Sequence, residues 1–252
     1  LWNTGGRPET KRRATAARRE RKAMVSGIIL AGGSSTRYGT GENKTLVELL
    51  GRPVLEYSLR VFLGSPAVDE VILAARAGEE ATLRALAESL SPEKPVTVVT
   101  GGKDRAESVQ NALTAAKGER VLIHDGARPL VTKELLEDCL AALAQADGAA
   151  VAVASPDTVK LTGADGYVER STDRSRTYLI QTPQAFYREE LLALHRALGD
   201  GPERGQITDD CMLLERVGRR VKLVPGSCRN LKITTPEDRE LAEFYLKKEP
   251  TE

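Results

Sequence analysis

From Val25 onward, short runs of β-branched and aliphatic residues alternate with longer stretches whose apolar positions recur every three or four residues. The short runs suit strands buried on both faces and the longer ones suit amphipathic helices. Their alternation is the signature of βαβ units around a mainly parallel sheet. Strands are predicted at 25–31, 68–75, 96–100, 120–124 and 149–154, with helices at about 53–63, 78–90, 104–117 and 132–146. Asp104 stands where an N-cap would open the third helix.

The rhythm changes after Pro156. Residues 157–161 and 167–170 flank a turn at 162–166 and predict a β-hairpin that leaves the core, an arm over about 156–175 whose outward face needs a partner. A strand at 177–181, helices near 188–198 and 208–217, a strand at 220–224 and a helix over 236–246 return the chain to the sheet. The expected architecture is α/β: one Rossmann-like, mainly parallel twisted sheet with helices on both faces, spanning 24–252, plus the protruding arm.

Charge sets residues 1–23 apart. Of 37 basic and 36 acidic residues, eight and two fall there, leaving a core of 29 basic and 34 acidic. The basic segment reads as a nucleic-acid tether, a targeting segment or a solvated tail. It lacks the apolar stretch of a secretory signal, and Met24 immediately precedes the first strand, so a disordered extension outside the working domain is expected. The acidic core carries no aromatic-rich sheet for stacking bases, which argues against nucleic acid. Apolar runs such as 71–75 are far below the roughly 20 residues of a membrane helix. The three cysteines are widely spaced without a CxxC pair, so neither a disulfide framework nor a zinc site is read, and a reducing cytoplasm fits.

In an open parallel sheet, ligands bind outside the carboxyl ends of the strands. The loops at 32–44, 101–105, 125–129 and 155–158 are therefore expected to line one site. The first reads Ala31-Gly32-Gly33-Ser34-Ser35-Thr36-Arg37, with Lys44 seven residues on. Paired glycines after a buried strand turn backbone N–H groups toward an anion, and Arg37 and Lys44 add charge that reaches phosphate oxygens. Neither a Walker loop nor a GxGxxG fingerprint is present. His124 reads as a satisfied core histidine and His195 as a residue of a surface helix, too few for a metal cluster or a Ser-His-Asp relay.

The segment AGG-x-x-x-R followed by a lysine resembles the signature of nucleotidyltransferases that activate sugars and sugar alcohols. Gly101-Gly102-Lys103-Asp104-Arg105-Ala106-Glu107-Ser108-Val109 resembles a cytidylyltransferase GG-x-x-R-x-x-S-V stretch, and His124-Asp125-Gly126-Ala127-Arg128-Pro129 resembles an HDAARP segment. Asp157-Thr158, Asp173-Arg174, Gln181-Thr182-Pro183-Gln184, Thr208-Asp209 and Asn230-Leu231-Lys232 follow in the same order. Together they are similar to the 2-C-methyl-D-erythritol 4-phosphate cytidylyltransferases over nearly all of residues 25–246.

That resemblance implies transfer of CMP from CTP to a sugar-alcohol phosphate, in a homodimer that exchanges its arms. It implies that Arg37, Lys44 and Lys232 are catalytic, and that Ala31, Gly32, Gly33, Gly102, Lys103, Arg105, Ser108, Asp125 and Gly126 meet the nucleotide. Arg128, Thr208 and Lys232, with Thr158 and Arg174 from a neighbouring subunit, would hold the acceptor. Mg²⁺ would ride mainly on the CTP phosphates, with Asp125 nearby. D-ribitol 5-phosphate is the alternative acceptor, and a non-catalytic nucleotide-binding protein the alternative class. The chain departs from the family pattern at Asn43, where proline is common and a less rigid loop is therefore expected, at Gly126, where alanine is frequent, and in the basic extension.

Overall fold

The computed structural model describes residues 23–33, 43–199 and 201–248. Residues 1–22 of the basic segment, and Arg37 with the rest of 34–42, lie outside the described residues. In chain order come β1 (Val25–Leu30), a tight hairpin of β2 (Glu48–Leu49) and β3 (Arg52–Pro53), and α1 (Val54–Gly64). Next are β4 (Glu70–Ala75), α2 (Glu80–Ser89), β5 (Val96–Thr100), α3 (Arg105–Ala115), β6 (Arg120–Asp125), α4 (Lys133–Leu143) and β7 (Gly148–Ala154). The arm is β8 (Lys160–Thr162) with β9 (Val168–Ser171). Then follow β10 (Tyr178–Tyr187), α5 (Arg188–Leu198), α6 (Cys211–Arg216), β11 (Val221–Pro225) and α7 (Pro236–Lys248).

Among the described residues the main sheet has seven strands in the order β11-β7-β10-β6-β1-β4-β5. All neighbours are parallel except β10, which runs antiparallel to β6 and β7. Alternate side chains feed two cores. Ile29, Val71, Leu73 and Leu122 pack under α1, α2 and α4. Ile28, Ile72, Val121 and Ile123 pack under α3, α5 and α6. Burial on both faces explains why these strands read as continuous apolar runs. Gly27 is needed for this packing, since a Cβ there would lie 2.4 Å from the Phe62 ring.

Two differences from the sequence reading have clear causes. The strand expected at 177–181 runs on to Tyr187, because the ladder with β7 shifts register between Ile180 and Gln184. Pro183 falls in that irregular stretch, where its missing N–H costs no ladder bond. His195, expected on a surface helix, is only 1% exposed. It shares the buried face of α5 with Leu191 and Leu192, and its Nε2 donates to Asp210 Oδ1 at 2.9 Å, which gives the buried ring a polar partner.

Candidate active site

β1 is the turning point of the sheet: the chain leaves it toward β4 and β5 on one side and returns with β6 on the other. A crevice outside the carboxyl ends of such strands is where ligands sit. A cleft of about 460 Å³ lies there. Gly32, Gly33 and Lys44 line it from the first loop, Gly102, Lys103, Arg105 and Ser108 from the start of α3, Asp125 from the end of β6, and Lys232 from the approach to α7. A smaller hollow of about 230 Å³ adjoins it, lined by Arg128, Gln181, Thr208 and Asp209. Arg105, Asp125 and Lys232 line both, so they form the shared wall.

The wall is a charge cluster. Asp125 Oδ2 meets Lys232 Nζ at 2.9 Å and Arg128 Nε at 3.6 Å. Burial pushes the Asp125 carboxyl up, but the charges of Lys232, Arg105 and Arg128 outweigh it and hold the group well below the usual carboxylate range. Arg105 reaches the wall from α3 and pairs through Nη1 with the fully buried Asp210 at 2.8 Å, so a chain runs from the half-buried Arg105 through Asp210 to the buried His195. Burial pulls Arg105 down, and Asp210, Asp125 and Asp209 together more than restore it.

A second network fixes the backbone of this wall. His124 is fully buried, and burial lowers its pKa to about 4, so the ring is neutral. Its Nε2 lies 3.1 Å from the Arg128 carbonyl, an acceptor, which assigns the proton to Nε2. Nδ1 then accepts from Thr182 Oγ1 at 3.0 Å, and Thr182 Oγ1 in turn accepts from the Asp125 N–H at 3.0 Å. His124 is thus a satisfied core histidine, and it holds both Asp125 and Arg128.

The start of α3 is equally committed. Asp104 accepts from Glu107 N at 2.7 Å, and Glu107 Oε2 accepts from Lys103 N at 3.0 Å, a reciprocal cap. Gly102 N donates to Ser108 Oγ at 3.0 Å, and Ser108 Oγ donates to the Asp104 carbonyl at 2.9 Å. Only glycine fits at 102, where a Cβ would lie 2.2 Å from Glu107 Cβ.

The structure redistributes several predicted roles. Ala31 and Gly126 were expected to meet the nucleotide, yet neither lines the cleft. Ala31 N donates to Ala74 O and its carbonyl accepts from Asn43, while Gly126 N donates to Leu30 O. Both brace the wall, and Ala127 lines the cleft instead. The loop at 155–158 lines neither hollow, because Ser155 N is tied to Thr177 O at the base of the arm. Thr158 and Arg174 are exposed and line neither hollow of the single chain. Asn43, expected to loosen its loop, is buried and hydrogen-bonded on both sides of its amide. Arg76 and Ala77, after β4, line the cleft and were missed. Their position at one more carboxyl end of a parallel strand was the available signal.

Residues 25–248 match the sequence profile of the 2-C-methyl-D-erythritol 4-phosphate cytidylyltransferase family. The chain belongs to this family. The 2-C-methyl-D-erythritol 4-phosphate cytidylyltransferase of Clostridium acetobutylicum is 38% identical over 227 residues, covering 89% of this chain and 98% of the relative. That of Caldanaerobacter subterraneus is 40% identical, covering 89% and 99%. The crystal structure of 4-diphosphocytidyl-2C-methyl-D-erythritol synthase from Anaerococcus prevotii superimposes with a TM-score of 0.79 at 33% identity, covering 90% of this chain and 99% of that one. Among the described residues no helix is long and apolar enough to cross a membrane.

Within the family, the charge of this site suits two anionic reactants. A cleft of this volume holds a nucleotide-sized ligand, and the adjoining hollow presents Arg128, Lys232 and the Thr208 hydroxyl to a smaller one. Among the described residues no group of three or more His, Cys, Asp or Glu could hold a metal. A protein cage for Mg²⁺ built from the described residues therefore does not fit. A single carboxylate supplementing phosphate oxygens does, because Mg²⁺ is usually bound by one or two carboxylates plus substrate phosphates. Asp104 is committed to the helix cap and to Arg204, which leaves Asp125, whose two ion pairs both use Oδ2.

Proposed function

We propose that this chain transfers CMP from CTP to 2-C-methyl-D-erythritol 4-phosphate, giving 4-diphosphocytidyl-2-C-methyl-D-erythritol and pyrophosphate. The observation that carries the reading is the pair of adjoining hollows with Arg105, Asp125 and Lys232 in common. One takes the triphosphate and the other the acceptor phosphate, and the reacting atoms meet at the shared cationic wall.

An acceptor phosphate oxygen attacks the α-phosphorus of CTP, the new P–O bond forms, and the bond to the β-phosphate oxygen breaks as pyrophosphate leaves. A phosphate monoester loses its second proton near pH ~6, so the nucleophile is ionised without a general base. The protein's task is to hold two anions in line and to offset their repulsion and the charge growing on the leaving group. Lys44, Gly32 and Gly33 face the triphosphate, and the family resemblance assigns Arg37 to it as well. Lys232 and Arg128 hold the acceptor phosphate, assisted by Thr208. Asp125 is the residue that would hold Mg²⁺, which when bound would neutralise charge on the triphosphate.

The base is read at Gly102 and Lys103. Their N–H groups are taken by Ser108 and Glu107, so recognition there falls to carbonyl oxygens. A carbonyl accepts from the 4-amino group of cytosine and repels the carbonyl that uracil carries in its place. The arm belongs to the same proposal. Tyr167 and Val168 on it are 77% and 60% exposed, and Leu161, Tyr178 and Leu179 are exposed as well. Apolar exposure of this kind favours an arm-exchanged homodimer, in which Thr158 and Arg174 of one subunit complete the acceptor hollow of the other.

The experiment is pyrophosphate release by the purified protein with Mg²⁺, CTP and either 2-C-methyl-D-erythritol 4-phosphate or D-ribitol 5-phosphate, repeated with Lys44→Ala. Release with the methylerythritol phosphate, slowed about 10²–10³-fold in the variant, is expected. Release with ribitol phosphate alone would reassign the acceptor, and release with neither would overturn the reading.

A further inference from the structure

We infer that Asn43 is a positioning residue for Lys44, clamped through Glu79, and that this clamp acts on the transfer step. The inference rests on the reading of Lys44 as a cation that faces the triphosphate. Asn43 is only 4% exposed, and its amide makes four hydrogen bonds among the described residues. Nδ2 donates to the Ala31 carbonyl at 2.6 Å and to Glu79 Oε2 at 2.5 Å. Oδ1 accepts from Thr45 N at 3.1 Å and from Thr45 Oγ1 at 2.8 Å. A flipped amide would set oxygen against the Ala31 carbonyl and N–H against N–H, so one orientation is enforced. The bonds to Ala31 and Thr45 are shielded from water and electrostatically stronger than at the surface, and the one to Glu79 is partly shielded.

The partners explain what the clamp holds. Ala31 follows β1 and is itself tied to β4 through Ala31 N and Ala74 O, 2.9 Å apart. Glu79 precedes α2, and its N–H donates to the Arg76 carbonyl at 2.9 Å. On the far side of Lys44, the Thr45 carbonyl accepts from Leu55 N at 2.8 Å, which ties the loop to α1. One buried amide therefore joins the two loops that bring Lys44 and Arg76 to the cleft. Lys44 lies between two anchored neighbours, and the position of its ammonium is set by its own rotamer rather than by loop motion. A displacement of about 1 Å at such a group costs on the order of 10²-fold in rate.

The test is a mutant cycle read as kcat, acceptor KM and calorimetric CTP affinity. Asn43→Ala is expected to lower kcat by about 10–100-fold, with acceptor KM within about twofold of wild type. Glu79→Ala is expected to lower kcat in the same direction. Glu79→Gln, whose side-chain carbonyl still accepts from Asn43, is expected to stay near wild type. In a Lys44→Ala background, Asn43→Ala should cause no further loss of kcat or CTP affinity, because its effect runs through Lys44. Equal losses with and without Lys44, or an Asn43→Ala enzyme within about twofold of wild type, would overturn the clamp. Should Asn43→Ala fail to fold, the Glu79 pair decides: unequal kcat supports the clamp and equal kcat overturns it. A wild-type protein that binds CTP but transfers to no acceptor would overturn the proposed reaction alone, and the affinity cycle would still judge the clamp. A wild type that binds no CTP would overturn both.

Discussion

His124 makes the stability of this protein depend on pH in a window where few other groups titrate. Its folded pKa is about 4 against an ordinary value of 6.5, because burial penalises the charged ring. The folded state therefore binds fewer protons than the unfolded chain between those values, and the stability held above pH 6.5 is withdrawn as pH falls toward 4. At ~1.4 kcal/mol per pKa unit, the full span is worth about 3 kcal/mol, and the drop from pH 7 to pH 5 is about 2 kcal/mol. Asp125 and Asp210 are also held below their own reference, but there the ionised form is favoured rather than penalised. Their carboxyls are stabilised in the ionised form, and that contribution is lost only as pH falls below their ordinary value of 3.8. The measurement is urea unfolding at pH 7 and pH 5 for wild type and His124→Asn. The variant is less stable at both pH values but should lose about 2 kcal/mol less on acidification. A His124→Asn protein whose stability fell as steeply as wild type would refute the assignment of the window to His124.

Lys232→Ala removes the closest counterion of Asp125 and a cation from the shared wall. The loss in kcat/KM for the acceptor should be about 10²–10³, measured by pyrophosphate release. Gly102→Ala drives a Cβ to 2.2 Å from Glu107 Cβ, so the cap at the start of α3 must shift. CTP affinity by calorimetry should fall by at least about tenfold, while far-ultraviolet circular dichroism stays unchanged. Asp210→Ala leaves the Arg105 charge and the His195 ring without their shared partner, which should cost about 3–5 kcal/mol in urea unfolding. A cost below about 1 kcal/mol would mean that solvent already screens that chain.

The sheet was legible because its strands are buried on both faces, and burial of that kind leaves unbroken apolar runs such as Val71–Ala75 that amphipathic surfaces do not produce. The hairpin of β2 and β3 was not read. Its turn carries Leu50 and Gly51 at φ 51° and 79°, and leucine in a left-handed conformation gives no warning of the kind that Asn-Gly would. The extent of β10 was hidden by Pro183, since whether a proline ends a strand depends on the register of its neighbours. The burial of His195 depends on Asp210, fifteen residues away at the start of α6, a pairing no local pattern encodes.

The candidate site was legible at the level of which loops converge and less so at the level of which atoms face the ligand. The reason is physical. A loop folded over the end of a sheet must find partners for its own backbone groups, so a motif of fixed spacing is a hydrogen-bonding unit before it is a binding surface. Ser108 and Glu107 absorb the N–H groups of Gly102 and Lys103, Leu30 absorbs that of Gly126, and Asn43 absorbs the Ala31 carbonyl. Spacing alone reports that all of these belong together, and it cannot tell a side chain that meets a phosphate from one that holds its neighbour still. The distinction falls along reach and charge. The long cationic side chains of Lys44, Arg105 and Lys232 line the cleft, while the short polar ones of Asn43, Thr182 and Asn230 turn inward to brace the backbone. Substituting the first group should therefore alter substrate affinity and rate with little change in stability, whereas substituting the second should alter the geometry through which the first group acts.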